Sequence, residues 1–323
     1  MRQLLWMPRR GLRESAAVLS AVLLLACERS TPAAGRKDTA VSVVPPRESS
    51  VVVSPEAVTW DSAAGPALFV AGATPQQALV IVPRYTNLAA LDSVRLDTTV
   101  LQSVRVELFS TGKQVGTARI VGAVAGSTRT DSCRSWPTAR LEITPSDTGS
   151  TGPWNVAFET GHASGLVVDS IEGLPTADSA RLAADIARLA SALPGDTAAV
   201  FRGLPFVVTK AWRTRLPNGP VVLTAVVVRN VNQEANPRQE RILLIAERDT
   251  TSASRFATRY SERIAGPEET LEATDPIAII LLGVERRPTL VVTRDAGSGL
   301  SYALIERNAG QWRQRWASTY AGC

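Results

Sequence analysis

Short apolar segments separated by turn residues run through most of the chain, and they predict β-strands. In the first half they are residues 67–71, 78–82, 103–109 and 154–160. The third alternates polar and apolar side chains, as a half-buried strand does. A turn at Ser110–Lys113 leads from it into a strand that ends near Val124. This order predicts a hairpin.

One segment has helical spacing instead. Its apolar residues recur at intervals of four, three and four, and they are Leu182, Ile186, Leu189 and Leu193. Thr176 is placed to cap the helix, Asp178 lies in its first turn, and Pro194 with Gly195 ends it. The stripe predicts a helix at about 176–193 that packs against the core rather than against a partner.

The second half reads as a series of strands joined by short turns. The strands are predicted at 206–216, 221–230, 241–247, 256–264, 277–284, 289–293, 301–307 and 311–318. Several of the turns contain glycine, and regular short strands with turn signals are typical of sandwiches, barrels and propellers. The predicted fold is therefore mainly β, an antiparallel meander that is propeller-like or sandwich-like, with one amphipathic helix.

The last part of the chain resembles a degenerate propeller blade of the FG-GAP or VCBS type. The resemblance covers residues 277–323 and is carried by the tight turn at 283–288, Leu290-Val291-Val292, Tyr302 and Trp312. In that family the turn is rich in aspartate and glycine and can hold calcium. Here Glu285-Arg286-Arg287 occupies the turn, so the resemblance implies a blade-like meander without calcium.

The N-terminus has the layout of an export signal. Four arginines, Arg2, Arg9, Arg10 and Arg13, precede an uncharged run from Ser15 to Ala26 that is too short to span a bilayer. The run ends in Leu24-Leu25-Ala26-Cys27, which resembles the lipobox of bacterial lipoproteins. The resemblance implies cleavage before Cys27 and acyl chains such as palmitate on that cysteine. The alternative is an ordinary secretory signal that happens to contain a cysteine, and either Met1 or Met7 could be the start.

The predicted organisation follows from this signal. Residues 1–26 are the signal peptide, 27–50 a lipidated cysteine with a disordered tether, 51–165 an N-terminal β region, 166–203 a helical connector and 204–323 a C-terminal antiparallel β region. Residues 51–323 could also form one domain. Glu28 is not the aspartate that retains enteric lipoproteins at the inner membrane, which favours the periplasmic side of the outer membrane in a host with two membranes.

Charge argues against a nucleic-acid partner. The formal net charge is +5 at pH 7, but the four arginines and Glu14 of the signal account for +3 of it. A mature chain near +2 offers no concentrated basic surface. The partners predicted are membrane lipid through Cys27 and an envelope protein or glycan.

The remaining cysteines are Cys133 and Cys323. An isolated pair in an oxidising compartment is most simply a disulfide, which agrees with export. The alternative is two free thiols, although Arg134 is the only basic neighbour that could activate one of them.

The sequence lacks residues that most types of catalytic site require. His162 is the only histidine, so no site with several histidines can hold a metal and any Ser-His-Asp arrangement would depend on it. It lies in Gly161–Gly165, which is predicted to be a loop. Ser110–Lys113 matches the S-x-x-K pattern of penicillin-binding proteins, but it is predicted as a hairpin turn and its usual partner motifs are missing. No metal and no cofactor is predicted.

Carboxylates offer the remaining candidate chemistry. Residues 232–240 and 262–270 lie between predicted strands and carry the candidates Glu234, Glu240, Glu268 and Glu269. If they converge, they could perform acid/base catalysis or bind a hard cation. The alternative is a pair of solvated loops with surface ion pairs.

Tryptophans near the C-terminus allow two interpretations. Trp312, Gln314 and Trp316 are predicted on one face of a strand, with Arg313 and Arg315 on the other. Buried indoles would be core, whereas exposed ones could bind carbohydrate or a partner.

Two classes of function remain open at this level. The favoured one is a noncatalytic lipoprotein of the envelope that acts as a binding or assembly module. The alternative is a hydrolase-like envelope enzyme that uses Glu234 or Glu240 with Glu268 or Glu269.

Overall fold

A computed structural model describes residues 65–82, 96–127, 134–145, 152–195, 198–231, 236–249 and 255–322. These residues form antiparallel sheets and one α-helix, so the predicted mainly β meander is confirmed. They belong to one compact unit that spans Ser54–Cys323. The predicted signal and tether, all three cysteines (Cys27, Cys133 and Cys323) and Glu234 lie outside the described residues.

The first six strands close into a barrel. They are β1 (Leu68–Ala71), β2 (Gln77–Ile81), β3 (Arg105–Ser110), β4 (Lys113–Val124), β5 (Thr138–Pro145) and β6 (Val156–Glu159), in the order β1-β2-β5-β4-β3-β6. Inward side chains such as Phe69, Val106 and Ile120 fill the barrel. Strand β5 was not among the predicted strands, although Ala139 and Leu141 alternate with polar residues and both point inward.

Two five-stranded sheets follow. The first contains β8 (Val168–Ser170), β9 (Val207–Arg215), β10 (Val221–Val231), β11 (Arg238–Arg248) and β12 (Ala257–Pro267). The second contains β7 (Ala163–Ser164), β13 (Ala273–Leu282), β14 (Arg287–Asp295), β15 (Leu300–Asn308) and β16 (Gln311–Ala317). The predicted loop at Gly161–Gly165 therefore contains β7, which pairs with β13 through Leu281 and Leu282.

The sheets stack as layers. Val222 and Val226 of the first sheet share a core with Leu290 and Val292 of the second. The helix α1 (Thr176–Ser191) covers the other face of the first sheet, and the barrel covers the other face of the second. Because both sheets are buried on two faces, a strand such as β10 reads as a continuous apolar run.

The helix carries its predicted stripe, with a different start. Leu182, Ile186 and Leu189 are buried against the first sheet. Thr176 is the first helical residue rather than the cap, so that prediction is wrong: Pro175 occupies the N-cap position and makes no side-chain bond. No helix in the described parts of the chain is long and apolar enough to cross a membrane.

A bulge in β16 separates the two tryptophans. Trp316 pairs with Leu304, but Gln314 pairs with Ile305, so Arg315 is the extra residue. One inserted residue reverses the alternation of a strand. Trp312 therefore lies between the two sheets and Trp316 between the second sheet and the barrel. The prediction of a shared face is wrong, and the burial of both indoles supports the core interpretation.

The hairpin at Ser110–Lys113 joins the barrel to the sheets. Thr111 accepts a bond from the Ile279 N–H at 2.6 Å, and Gly112 accepts one from the Leu166 N–H at 2.8 Å. Lys113 is exposed while Gly112 is buried. The segment is a hairpin turn as predicted, and it docks the barrel against β13.

Candidate functional site

Two clefts among the described residues flank the β1–β2 hairpin at one end of the barrel. One has a volume of about 580 Å³ and lies between the hairpin and Trp154. The other, of about 460 Å³, lies between the hairpin and the ends of β4 and β5. Thr74 and Gln76 line both, so the two form one surface around the hairpin, here called the barrel-end cleft.

Local bonds hold the hairpin in place. The Gly72 N–H donates to Gln77 O at 2.8 Å, and the Trp154 indole donates to Pro75 O at 2.9 Å. The Leu141 N–H of β5 donates to Gln76 O at 2.8 Å. The loop is thus fixed to the barrel from both sides, which pre-organises the cleft.

The chemistry of the cleft is mostly neutral. Its polar side chains are hydroxyls and amides from Thr74, Thr138, Gln76 and Gln77, and Arg140 is the one ionisable residue among the lining residues described. One of its lining residues is an exposed valine of β4, Val124, which is 68% exposed. Neutral donors and acceptors next to apolar surface suit an uncharged polar ligand.

This surface was not predicted from sequence. The run Gly72-Ala73-Thr74-Pro75-Gln76 between two apolar segments is a recognisable turn signal. The other walls of the cleft, Thr138 and Trp154, are distant from the hairpin in sequence. Only closure of the barrel brings them beside the hairpin and so forms the cleft.

The candidate carboxylates have different environments. Glu240 is 1% exposed and forms an ion pair with Arg229, which lies directly opposite it on β10. Arg263 of β12 lies on its other side, with Nε 3.7 Å from Glu240 Oε1. The charge of Glu240 is thus already opposed by two guanidiniums.

Glu268 and Glu269 lie in an exposed turn that follows β12. The Glu268 N–H donates to Pro237 O at 3.0 Å, which places this turn beside the start of β11. No hydrogen bond or ion pair within the described ranges joins either residue to Glu240, and those ranges contain no group of three metal-ligating side chains. Glu240 and this exposed pair therefore occupy different surroundings.

His162 lies next to a partly buried carboxyl group, that of Glu159. Its Nε2 is 4.0 Å from Glu159 Oε2, and the Glu159 side chain is 14% exposed. Glu159 is on the same face of β6 as Ala157, which faces the barrel interior. Its Oε2 is buried without a hydrogen-bond partner, and burial raises the pKa of Glu159 to about 7. The contact between His162 and Glu159 could not be predicted from the sequence, because a single glutamate at the end of a strand is common.

No protein-family model, curated protein or solved structure matches the chain. A functional assignment therefore rests on the chain's own residues and geometry.

Proposed function

We propose that the protein is a lipid-anchored lipoprotein of the bacterial envelope and a noncatalytic binding module whose barrel-end cleft holds an uncharged polar segment of an envelope protein or glycan. The observation that carries the binding role is the cleft itself, with its pre-organised hairpin, its mostly neutral polar lining and the exposed Val124. Concave surface that combines apolar groups with a few polar ones is typical of binding sites.

The anchor is supported by the signal and the lipobox-like run that ends in Cys27. Its test is the intact mass of the protein taken from membranes. Cleavage before Cys27 with added acyl chains is the expected result. A mature chain that begins elsewhere, or one without lipid, would contradict the proposed membrane anchor.

An oxidising compartment is supported by the surroundings of the other two cysteines. Arg134 and Gly322 exchange both backbone bonds, at 3.1 and 2.8 Å, in an antiparallel bridge. Cys133 precedes Arg134 in the sequence and Cys323 follows Gly322, so the described neighbours of the two cysteines are paired. An isolated pair of cysteines in an exported chain is most simply a disulfide. We therefore infer a bridge between Cys133 and Cys323.

The binding role is tested with the Cys27→Ser chain, which separates binding from lipid attachment. The protein is mixed with the isolated envelope fraction and the amount that cosediments is measured. Gln76→Glu places a charge in both parts of the cleft. It is expected to lower the apparent affinity at least about tenfold, because an uncharged ligand that covers this exposed position would remove water from the new charge.

Val207→Glu is the matched control, because Val207 is 59% exposed and does not line the cleft. It is expected to bind as the parent does. Equal loss in both variants, or no cosedimentation of the parent, would exclude the cleft as the binding surface.

A further inference from the structure

Arg140 lies in the smaller part of the barrel-end cleft, together with the exposed Val124. We propose that the segment held by the cleft belongs to a peptide, and that an aspartate or glutamate next to its uncharged part binds Arg140. This inference rests on the proposed function, because it names the partner class of the same cleft.

Among the described residues, the Arg140 guanidinium has no carboxylate partner. Its cross-strand neighbours are Gln77 of β2 and Gly122 of β4, which are both uncharged. The next outward residue of β5 is Glu142, which forms an ion pair with Arg119 at 2.6 Å. No hydrogen bond or ion pair joins the Arg140 side chain to any residue that the structure describes. Its five N–H donors are therefore available to a ligand.

Gly122 leaves one side of this guanidinium uncovered. A Cβ at Gly122 would lie 3.9 Å from Arg140 Nη2, so the guanidinium lies close to a residue that has no side chain. Strand β4 has a bulge directly before Gly122, where Val121 is the extra residue. Bulges change the direction of neighbouring side chains and are frequent next to binding sites. Here the bulge places a glycine where a longer side chain would cover Arg140.

The charge of Arg140 indicates the charge of its partner. A guanidinium binds a carboxylate through two parallel N–H···O bonds, a geometry that its planar fork favours. The other polar side chains of the smaller part are neutral donors and acceptors from Thr74, Gln76, Gln77 and Thr138. One cation beside several neutral groups matches a segment that is uncharged except for one acidic residue.

The lining favours a peptide over a glycan. Among the lining residues described, Trp154 is the one aromatic residue, and it is 4% exposed with its indole N–H bonded to Pro75 O. The cleft therefore offers no exposed aromatic face to a sugar ring. Its apolar surface is aliphatic instead, with Ala73, Ile143 and Val124. A peptide offers small apolar side chains to this surface and backbone amides to the neutral polar groups.

The test is a selection from random peptides displayed on phage, with the Cys27→Ser chain as bait. We expect the parent bait to enrich peptides that have one aspartate or glutamate among uncharged residues. An Arg140→Glu bait should enrich lysine or arginine at that place instead, because reversing the charge of a site reverses its preference. A merely structural role of Arg140 would not produce this exchange.

The affinity of one selected acidic peptide is then measured by calorimetric titration. Arg140→Gln should weaken binding at least about fivefold, because a charge-assisted hydrogen bond is lost. Replacing the acidic residue of the peptide by its amide should weaken binding to the parent by a similar factor and should add little further loss in the variant. Arg202→Gln is the matched control: Arg202 is also exposed, and it is absent from the lining of the cleft. It should leave the affinity unchanged.

The outcomes distinguish this inference from the proposed function. Suppose that the selected peptides lose binding to Gln76→Glu but show no acidic preference, or keep the same preference with the Arg140→Glu bait. The role of Arg140 would then be overturned, while the cleft would stay a binding site. A selection that yields no peptide sensitive to Gln76→Glu would overturn the peptide class. If the parent also failed to cosediment with the envelope fraction, the proposed function would fail as well.

Discussion

Glu247 of β11 and Arg307 of β15 form a bidentate ion pair across the two stacked sheets, with Nε to Oε1 at 2.5 Å and Nη2 to Oε2 at 3.2 Å. The Trp312 indole donates to the same carboxylate at 2.8 Å. Glu247 is 6% exposed. One carboxylate thus bonds to two strands of the opposite sheet at the end of their shared core.

Glu247→Ala is expected to destabilise the protein by about 3 kcal/mol, because it leaves a partly buried guanidinium and an indole N–H without their acceptor. The measurement is urea unfolding at pH 7. Glu142→Ala is the control, since Glu142 pairs with Arg119 at the surface, where the two side chains are 61% and 54% exposed. Its cost should stay below about 1 kcal/mol. Similar losses of unfolding free energy in the two variants would mean that the Glu247–Arg307 ion pair stabilises the protein no more than a surface ion pair does.

Gly112→Ala should destabilise the docking of the barrel. A Cβ there would lie 2.5 Å from Val168 Cγ2 and 2.8 Å from Leu166 O, and the backbone cannot yield easily. An overpacked contact of this kind costs about 2–3 kcal/mol. Gly173→Ala is the control, because a Cβ at Gly173 meets nothing within 4 Å. Equal midpoints of thermal unfolding would show that the hairpin tip is not tightly docked.

Glu159→Gln should stabilise the protein at alkaline pH. Burial raises the pKa of Glu159 from 4.5 to about 7 in the folded state, so its favourable contribution is complete below about pH 4.5 and is lost as pH rises through 7. The difference in unfolding free energy between variant and parent should therefore grow between pH 5 and pH 8, by about 3 kcal/mol at most. Glu269→Gln, at an exposed position, should show no such trend. A difference that is independent of pH would mean that Glu159 titrates normally.

Reduction should weaken the folded chain if Cys133 and Cys323 are bridged. The loop between them is long, and closing it is worth about 5 kcal/mol as an upper figure in the chain-entropy model. We expect two alkylatable thiols only after reduction, a lower unfolding midpoint, and a Cys323→Ser variant that matches the reduced parent and ignores reductant. Thiols that react before reduction would exclude the bridge.

Strand positions were predictable in the second half because glycine and proline turns punctuate apolar runs there. The helix was predictable from the spacing of Leu182, Ile186 and Leu189, because that signal too lies within a short stretch of the chain. Local pattern failed where a single residue changed the register: the bulge at Arg315 moved Trp316 to the opposite face from Trp312. It also failed for β7 and β8, which are too short to have a period and form only because a sheet edge is available to pair with them.

The candidate sites also combine features that the sequence predicts with features that depend on tertiary contacts. Sequence marked Glu240 as a carboxylate of interest, but it could not place Arg229 opposite it, since cross-strand register decides that contact. Nor could it find the barrel-end cleft, whose walls at Thr74, Thr138 and Trp154 are far apart along the chain.

By itself, the sequence determined the mainly β class, the amphipathic helix and the order of most strands, because periodicity and turn chemistry act over a few residues. Tertiary structure alone decided the closure of the barrel, the stacking of the sheets, the burial of Glu159 and Glu240, and the barrel-end cleft. These features depend on contacts between residues distant in sequence, whose energies exist only once the chain has folded.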